Sequence, residues 1–194
     1  MKKDKTLFIQ INSGKYKGKK IELPSLDTTR SSKSILRESL FNSIQFEIVG
    51  RNFVEVFGGS GSMGLEALSR GAKDVYFIER DHLAYAVLKK NAASLDSEHT
   101  HLTLGDSFDV YHDILSKVQG ESYLYFDPPF DIRDGMDVIY DKVISLIENT
   151  PKENVMMIVI EHMTKTAMPD IIGVYKKKKF KKFGRSALTY YEAE

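Results

Sequence analysis

From Phe53 onward, short apolar runs of strand length alternate with longer helix-compatible stretches, and few folds can absorb that alternation. Strand-like runs fall at residues 53–57, 75–78, 102–104, 123–126 and 155–160, separated by helix-compatible stretches at 64–70, 83–95, 108–118 and 136–148. Neighbouring parallel strands need crossovers, crossovers are right-handed, and the crossing helices then cover both faces of the sheet. The expected architecture is an α/β fold built on a doubly wound, mostly parallel sheet. Two final runs, 173–180 and 187–191, are joined by a segment containing Gly184 and predict an antiparallel hairpin at one edge.

Ahead of this body, Leu7-Phe8-Ile9-Gln10-Ile11 alternates, Ser13-Gly14 breaks the pattern, and a second run ends Lys20-Ile21-Glu22-Leu23-Pro24, which predicts a short hairpin. Ser34 is placed to cap a helix whose apolar residues Ile35, Leu36, Leu40, Phe41 and Ile44 recur at helical spacing. Residues 1–50 therefore read as a hairpin-plus-helix extension and residues 51–194 as the main domain. The chain has no cysteine, which excludes disulfides, iron–sulfur clusters and thiolate metal sites. No apolar run approaches membrane-spanning length and the basic start lacks a signal-peptide core, so the expectation is a cytoplasmic protein. A formal net charge of +1 conceals lysines crowded at both ends: Lys15, Lys17, Lys19 and Lys20 early, Lys176 to Lys179 with Lys181 and Lys182 late. Basic flanks on a neutral body fit a polyanion surface, and equally fit edge strands protected from aggregation.

Gly58-Gly59-Ser60-Gly61-Ser62-Met63-Gly64 follows the first core strand and opens a helix. Glycines there allow a sharp turn and a close approach of ligand to backbone, and Gly59, Gly61 and Gly64 satisfy a nucleotide-loop spacing. Glu79, ending the next strand, is positioned for ribose hydroxyls. Glu55 lies inside the apolar run Phe53-Val54-Glu55-Val56-Phe57, where an unpaired carboxylate would cost several kcal/mol. Its partner is either a core Lys or Arg or the cationic methionine end of S-adenosylmethionine; a pyrophosphate would be repelled. Asp106 in Gly105-Asp106-Ser107 is suited to an adenine amino group and also to a helix cap. The candidate cofactor positions are Glu55, Phe57, Gly58, Gly59, Ser60, Gly61, Gly64, Glu79, Arg80, Asp106 and Ser107.

Leu124-Tyr125-Phe126 runs into Asp127-Pro128-Pro129-Phe130, setting a carboxylate, two rigid prolines and an aromatic ring at the edge where such sheets bind ligands. Methylation of an exocyclic amine requires its lone pair to be freed from the base. Hydrogen bonds from the amine to Asp127 and the Pro128 carbonyl favour that, prolines hold the acceptors still, and Phe130 can stack on the base at about 1–3 kcal/mol. Asp127, Pro128, Pro129 and Phe130 are the candidate catalytic residues. Direct displacement needs no metal, and His82, His99, His101, His112 and His162 lack ligand spacing.

With these motifs on the page, the chain resembles the bacterial 16S ribosomal RNA guanine-N2 methyltransferases of the RsmD type. The resemblance covers Ser13 to Lys19, Arg30 through Asn42, Phe57 through Ala72, Glu79, Asn91, Asp127 to Phe130 and Phe183 to Leu188. It implies a monomeric, seven-stranded Rossmann-like class I fold, S-adenosylmethionine as cofactor, and an N-terminal extension contacting ribosomal RNA of the small subunit. The matching candidates for RNA contact are Lys15, Tyr16, Lys17, Lys19, Arg30 and Arg37. Glu55 stands where aspartate is usual, Gly58 where alanine is usual, and Arg30-Ser31-Ser32-Lys33-Ser34 replaces a proline-threonine pattern. Three other readings stay open on the residues: a DNA adenine-N6 methyltransferase, an NAD-dependent oxidoreductase, and a catalytically silent RNA-binding protein. The absence of a target-recognition segment of useful size disfavours the first.

Overall fold

A computed structural model describes residues 6–24, 30–129 and 136–194, with the side chains of residues 30–32, 136 and 137 left undescribed. The elements are β1 (Leu7–Gln10), β2 (Lys20–Leu23), α1 (Arg30–Ser43), β3 (Asn52–Glu55), α2 (Ser62–Ser69), β4 (Val75–Glu79), α3 (His82–Leu95), β5 (Thr100–Leu104), α4 (Ser107–Lys117), β6 (Ser122–Phe126), α5 (Met136–Glu148), β7 (Val155–Met163), β8 (Ile171–Ile172), β9 (Tyr175–Phe183) and β10 (Ser186–Ala193). β1 and β2 form the expected hairpin, with Leu7 opposite Leu23. The main sheet has eight strands in the order β5-β4-β3-β6-β7-β10-β9-β8: the seven expected plus the two-residue β8.

β3 to β7 are parallel, and β10 runs antiparallel between β7 and β9. Because β3 lies between β4 and β6, the chain leaves it in one direction and returns on its other side, so the loops after β3 and β6 diverge and open a crevice between them. Strand periodicity divides the core. Phe53, Phe77, Tyr123, Tyr125 and Val159 meet α1, α2 and α3, whereas Val54, Ile78, Leu124, Phe126 and Ile158 meet α4 and α5.

One local expectation changes. α1 starts at Arg30, so Ser34 sits inside the helix and does not cap it; residues 30–33 contain neither proline nor glycine, and the helix extends through them. The extra turn carries Lys33 towards the sheet edge. α1 also buries Leu36, Leu40 and Phe41, and Ile44 just after it, in the same core as α2 and α3, with the Phe41 ring 5.6 Å from that of Phe53.

Candidate active site

β3 ends at Glu55, and the glycine loop turns the chain into α2. Gly61 has φ 78°, a left-handed conformation that any side chain would strain, and a Cβ at Gly64 would lie 2.5 Å from Phe77 and Val75. These two glycines press the start of α2 against β4 and aim its free N–H groups back at β3. Glu55 receives them: its Oε2 accepts from Gly64 N–H at 2.8 Å, and Met63 donates a second backbone bond. The partner of the buried acid is therefore a helix N-terminus, a choice absent from the sequence expectation. Burial foremost, with the Asp127 charge adding to it and the backbone bonds and Lys33 opposing, pushes the Glu55 carboxyl up to about 8.

The crevice beside the loop has a volume of ≈ 370 Å³ and is lined by Phe57, Gly59, Ile78, Glu79, Arg80, Asp106, Ser107, Phe108, Asp127 and Pro129 among others. Glu79 Oε2 accepts from Gly59 N–H at 2.7 Å and Oε1 from Asp81 N–H at 2.7 Å, which pins the acid at the mouth while each oxygen keeps acceptor capacity. Asp106 caps α4 through Phe108 N–H at 3.0 Å and turns its other oxygen to Arg80, 3.5 Å away. Ser107 is buried, and its hydroxyl donates to the Val56 carbonyl, tying α4 to β3. A smaller cavity of ≈ 130 Å³ shares Phe57, Gly59 and Asp127 with the crevice and reaches Glu55, Gly58, Ser60 and Lys33.

This lining fits S-adenosylmethionine. Phe57 and Phe108, with ring centroids 5.6 Å apart, supply an apolar wall for an adenine, and Glu79 and Asp106 supply acceptors beside it. At the other end Glu55, a buried carboxylate whose burial is only partly offset, suits a cationic ligand and opposes a pyrophosphate.

Asp127 follows β6 directly across the crevice from the glycine loop; Pro128 is buried, Pro129 is exposed, and Phe130 lies outside the described residues. Asp127 Oδ2 accepts from Lys33 Nζ at 2.8 Å. The same ammonium is 3.8 Å from Oε1 of Glu161, a residue of β7 that is 1% exposed and accepts the Tyr125 hydroxyl on its other oxygen. Burial, and next the Asp127 charge, pushes the Glu161 carboxyl up; Asp127 foremost keeps Lys33 protonated. Neither Lys33 nor Glu161 was among the candidates. Glu161 follows the apolar run 155–160 and carries the same sign as Glu55, a carboxylate in a buried strand, whereas Lys33 is marked only by lying in the stretch Arg30–Ser34 that departs from the resembled family.

The residues proposed for RNA contact do not gather around Asp127. Lys15, Lys17 and Lys19 are exposed, but their turn docks on the carboxyl end of α2, where Lys15 N–H donates to the Ser69 carbonyl at 2.7 Å. The glycine loop is at the other end of that helix, roughly 12 Å of rise away. Tyr16 is half-buried, its hydroxyl donating to Asp96 at 3.1 Å. Arg37 corrects the expectation outright. It is 3% exposed, donates to the Gln10 carbonyl at 2.7 Å and to Asn12 at 3.1 Å, and lies 3.5 Å from the buried Glu66, which also pairs with Arg70. It joins the hairpin, α1 and α2 from inside and borders the ≈ 130 Å³ cavity that reaches Glu55. The Arg30 side chain lies outside the described residues.

The sheet order, the glycine turn between β3 and α2, and acids at successive strand ends define a Rossmann-like class I methyltransferase. The chain belongs to the family described as Conserved hypothetical protein 95, whose sequence model matches residues 9–192, and this bears out the RsmD-type resemblance. It is 28% identical over 187 residues to ribosomal RNA small subunit methyltransferase D of Escherichia coli K12, covering 96% of this chain and 90% of that one. The protein of the same name from Buchnera aphidicola (strain Bp) is 31% identical over 184 residues, covering 92% and 89%. The solved structure of Escherichia coli yhhF superposes with a TM-score of 0.75 at 28% identity, over 97% of this chain and 99% of that chain.

Proposed function

We propose that the protein transfers a methyl group from S-adenosylmethionine to the exocyclic N2 amine of a guanine in 16S ribosomal RNA. The observation that carries this reading is the position of Asp127: a carboxylate on a proline-stiffened strand end, bordering both the crevice and the cavity that reaches Glu55. The names of the relatives point to small-subunit ribosomal RNA as the substrate class.

S-adenosylmethionine, when bound, supplies an electrophilic methyl group on a sulfonium. Glu79 and Asp106 would hold the ribose and adenine, with Phe57, Gly58, Gly59, Ser60, Gly61, Gly64, Arg80 and Ser107 shaping the pocket and Glu55 facing the cationic end. Asp127 and the Pro128 carbonyl would accept the N–H bonds of the amine, turning its lone pair towards the methyl carbon. The amine nitrogen would take up the methyl group and shed one proton, for which Asp127 is the adjacent acceptor. Rate enhancement comes from placement and fixed dipoles, an effect worth about 10²–10³ per well-placed group.

In this reading the protein works as a cytoplasmic monomer on the small subunit or an assembly intermediate, with residues 1–50 forming an extension to the catalytic domain. The basic end nearer the chemistry is the later one. Ser186 pairs with Met163 at the carboxyl end of β7, so Lys181, Lys182 and Arg185 flank the edge that carries Asp127 and Glu161. Incubation with radiolabelled S-adenosylmethionine and small ribosomal subunits, naked RNA or DNA, followed by nucleoside analysis, tests the reading. Label in N2-methylguanosine is expected; label in N6-methyladenine from DNA, or none from any substrate, refutes it.

A further inference from the structure

Asp127, the acceptor on which the proposed reaction depends, already has a donor. Lys33 Nζ lies 2.8 Å from Oδ2, one of the two oxygens that could accept an incoming amine. The lysine reaches in from α1 and remains two-fifths exposed, so it can leave without disturbing the core. Its second neighbour is Glu161 Oε1 at 3.8 Å, a buried oxygen with no close hydrogen bond among the described residues, although the Ser186 hydroxyl lies beside this carboxylate. A buried carboxylate oxygen normally has a close donor, and Lys33, the charged donor nearest to it among the described residues, is about 1 Å beyond charge-assisted hydrogen-bond distance. The four-carbon stem of lysine covers such a shift by rotamer adjustment alone.

We propose that Lys33 and Glu161 are positioning residues that act through Asp127: Lys33 occupies Asp127 until a base enters, then moves onto Oε1 of Glu161 and leaves Asp127 Oδ2 to the incoming amine. This rests on the reading of Asp127 as the amine acceptor. Glu55, Asp127 and Glu161 all face this one lysine. Keeping it in the site after the exchange avoids leaving adjacent buried carboxylates without a cation. Glu161 is thus a second berth, and without it the displaced ammonium would have to go into solvent or stay on Asp127.

The test is a double-mutant cycle on methyl transfer to small-subunit RNA, with KM for RNA and kcat measured separately. Glu161→Gln is isosteric and still accepts from Tyr125, but offers Lys33 no charged berth. It is expected to raise KM for RNA about tenfold while kcat changes less than about threefold, the size of one charge-assisted contact. In a Lys33→Met background the same substitution is expected to change KM by less than about twofold, since no latch remains, and Lys33→Arg is expected to restore the sensitivity. An equal effect of Glu161→Gln in both backgrounds, or none in either, overturns the latch while leaving the methyltransferase reading intact. A wild-type protein that methylates no RNA overturns both. If Glu161→Gln melts, the cycle is run with Glu161→Asp, whose shorter arm withdraws the carboxylate from Lys33.

Discussion

On the cofactor side of the crevice, Glu55 and Glu79 are held by backbone N–H groups of Gly64, Gly59 and Asp81, all within twenty residues along the chain. On the acceptor side, Asp127 is held by the side chain of Lys33, ninety-four residues away, which also approaches Glu161. Backbone donors cannot leave without remaking the loop that carries them, whereas a lysine can exchange partners by rotating its stem. The difference matches two tasks: one half keeps a preformed cradle, and the other holds a partner it can release.

Breaking the acceptor half should have the largest effect and leave the cradle alone. Asp127→Ala is expected to lower single-turnover transfer by about 10³, while S-adenosylmethionine still raises the melting temperature as in the wild type. Unchanged transfer would remove Asp127 from the mechanism; loss of the thermal shift would mean the halves are not separate.

The support beneath the cradle comes next. Arg37→Met removes one of two cations paired with the buried Glu66, whose oxygens also accept from Asn12 and Ser13 N–H. A loss of about 3 kcal/mol in urea unfolding is expected, with RNA affinity per folded molecule unchanged. A selective loss of RNA affinity without destabilisation would return Arg37 to the RNA surface.

The smallest effect sharpens the role of Glu55. Its folded pKa, about 8, lies above the unfolded value of 4.5, so the native state holds a proton that the unfolded chain releases. Its contribution to stability is complete at acid pH and is lost as pH rises from the unfolded value through about 8. A cationic ligand favours the charged form. Binding of S-adenosylmethionine between pH 6 and 8 should therefore release a proton and tighten with pH, by up to about tenfold. Calorimetry in buffers of different ionisation enthalpy reads the proton directly; Glu55→Gln should abolish the release, and a release that persists in the variant excludes Glu55 as its source.

The legibility of the site follows the same division. Glu55, Gly61, Gly64, Glu79 and Asp127 stand out in the chain because each breaks a local pattern: a charge in an apolar strand, a glycine where a helix begins, an acid where a strand ends. Glu161 breaks its pattern in the same way but only at the end of a long run, where an exposed strand end explains it equally well. Lys33 and Arg37 look alike in sequence, two basic residues one turn apart on α1, and both border the cavity that reaches Glu55, yet one pairs with Asp127 while the other is buried beneath the hairpin. Basic charge near the N-terminus marks neither for its place.

Strand and helix periods, the spacing of glycines and the position of an acid relative to an apolar run are properties of neighbouring residues, and the backbone responds to them locally. They determined the α/β layering and the residue types that line the ligand edge, whereas the strand order that opens the crevice between the β3 and β6 loops is tertiary. The docking of α1 was decided only in three dimensions, and with it the meeting of Lys33, Asp127 and Glu161 from three distant parts of the chain. So too was the insertion of β10 between β7 and β9, which sets the later lysines beside the edge that carries Asp127 and Glu161. The physical reason is that an ion pair between remote residues depends on how whole elements pack, and packing is a sum over contacts that no local pattern records.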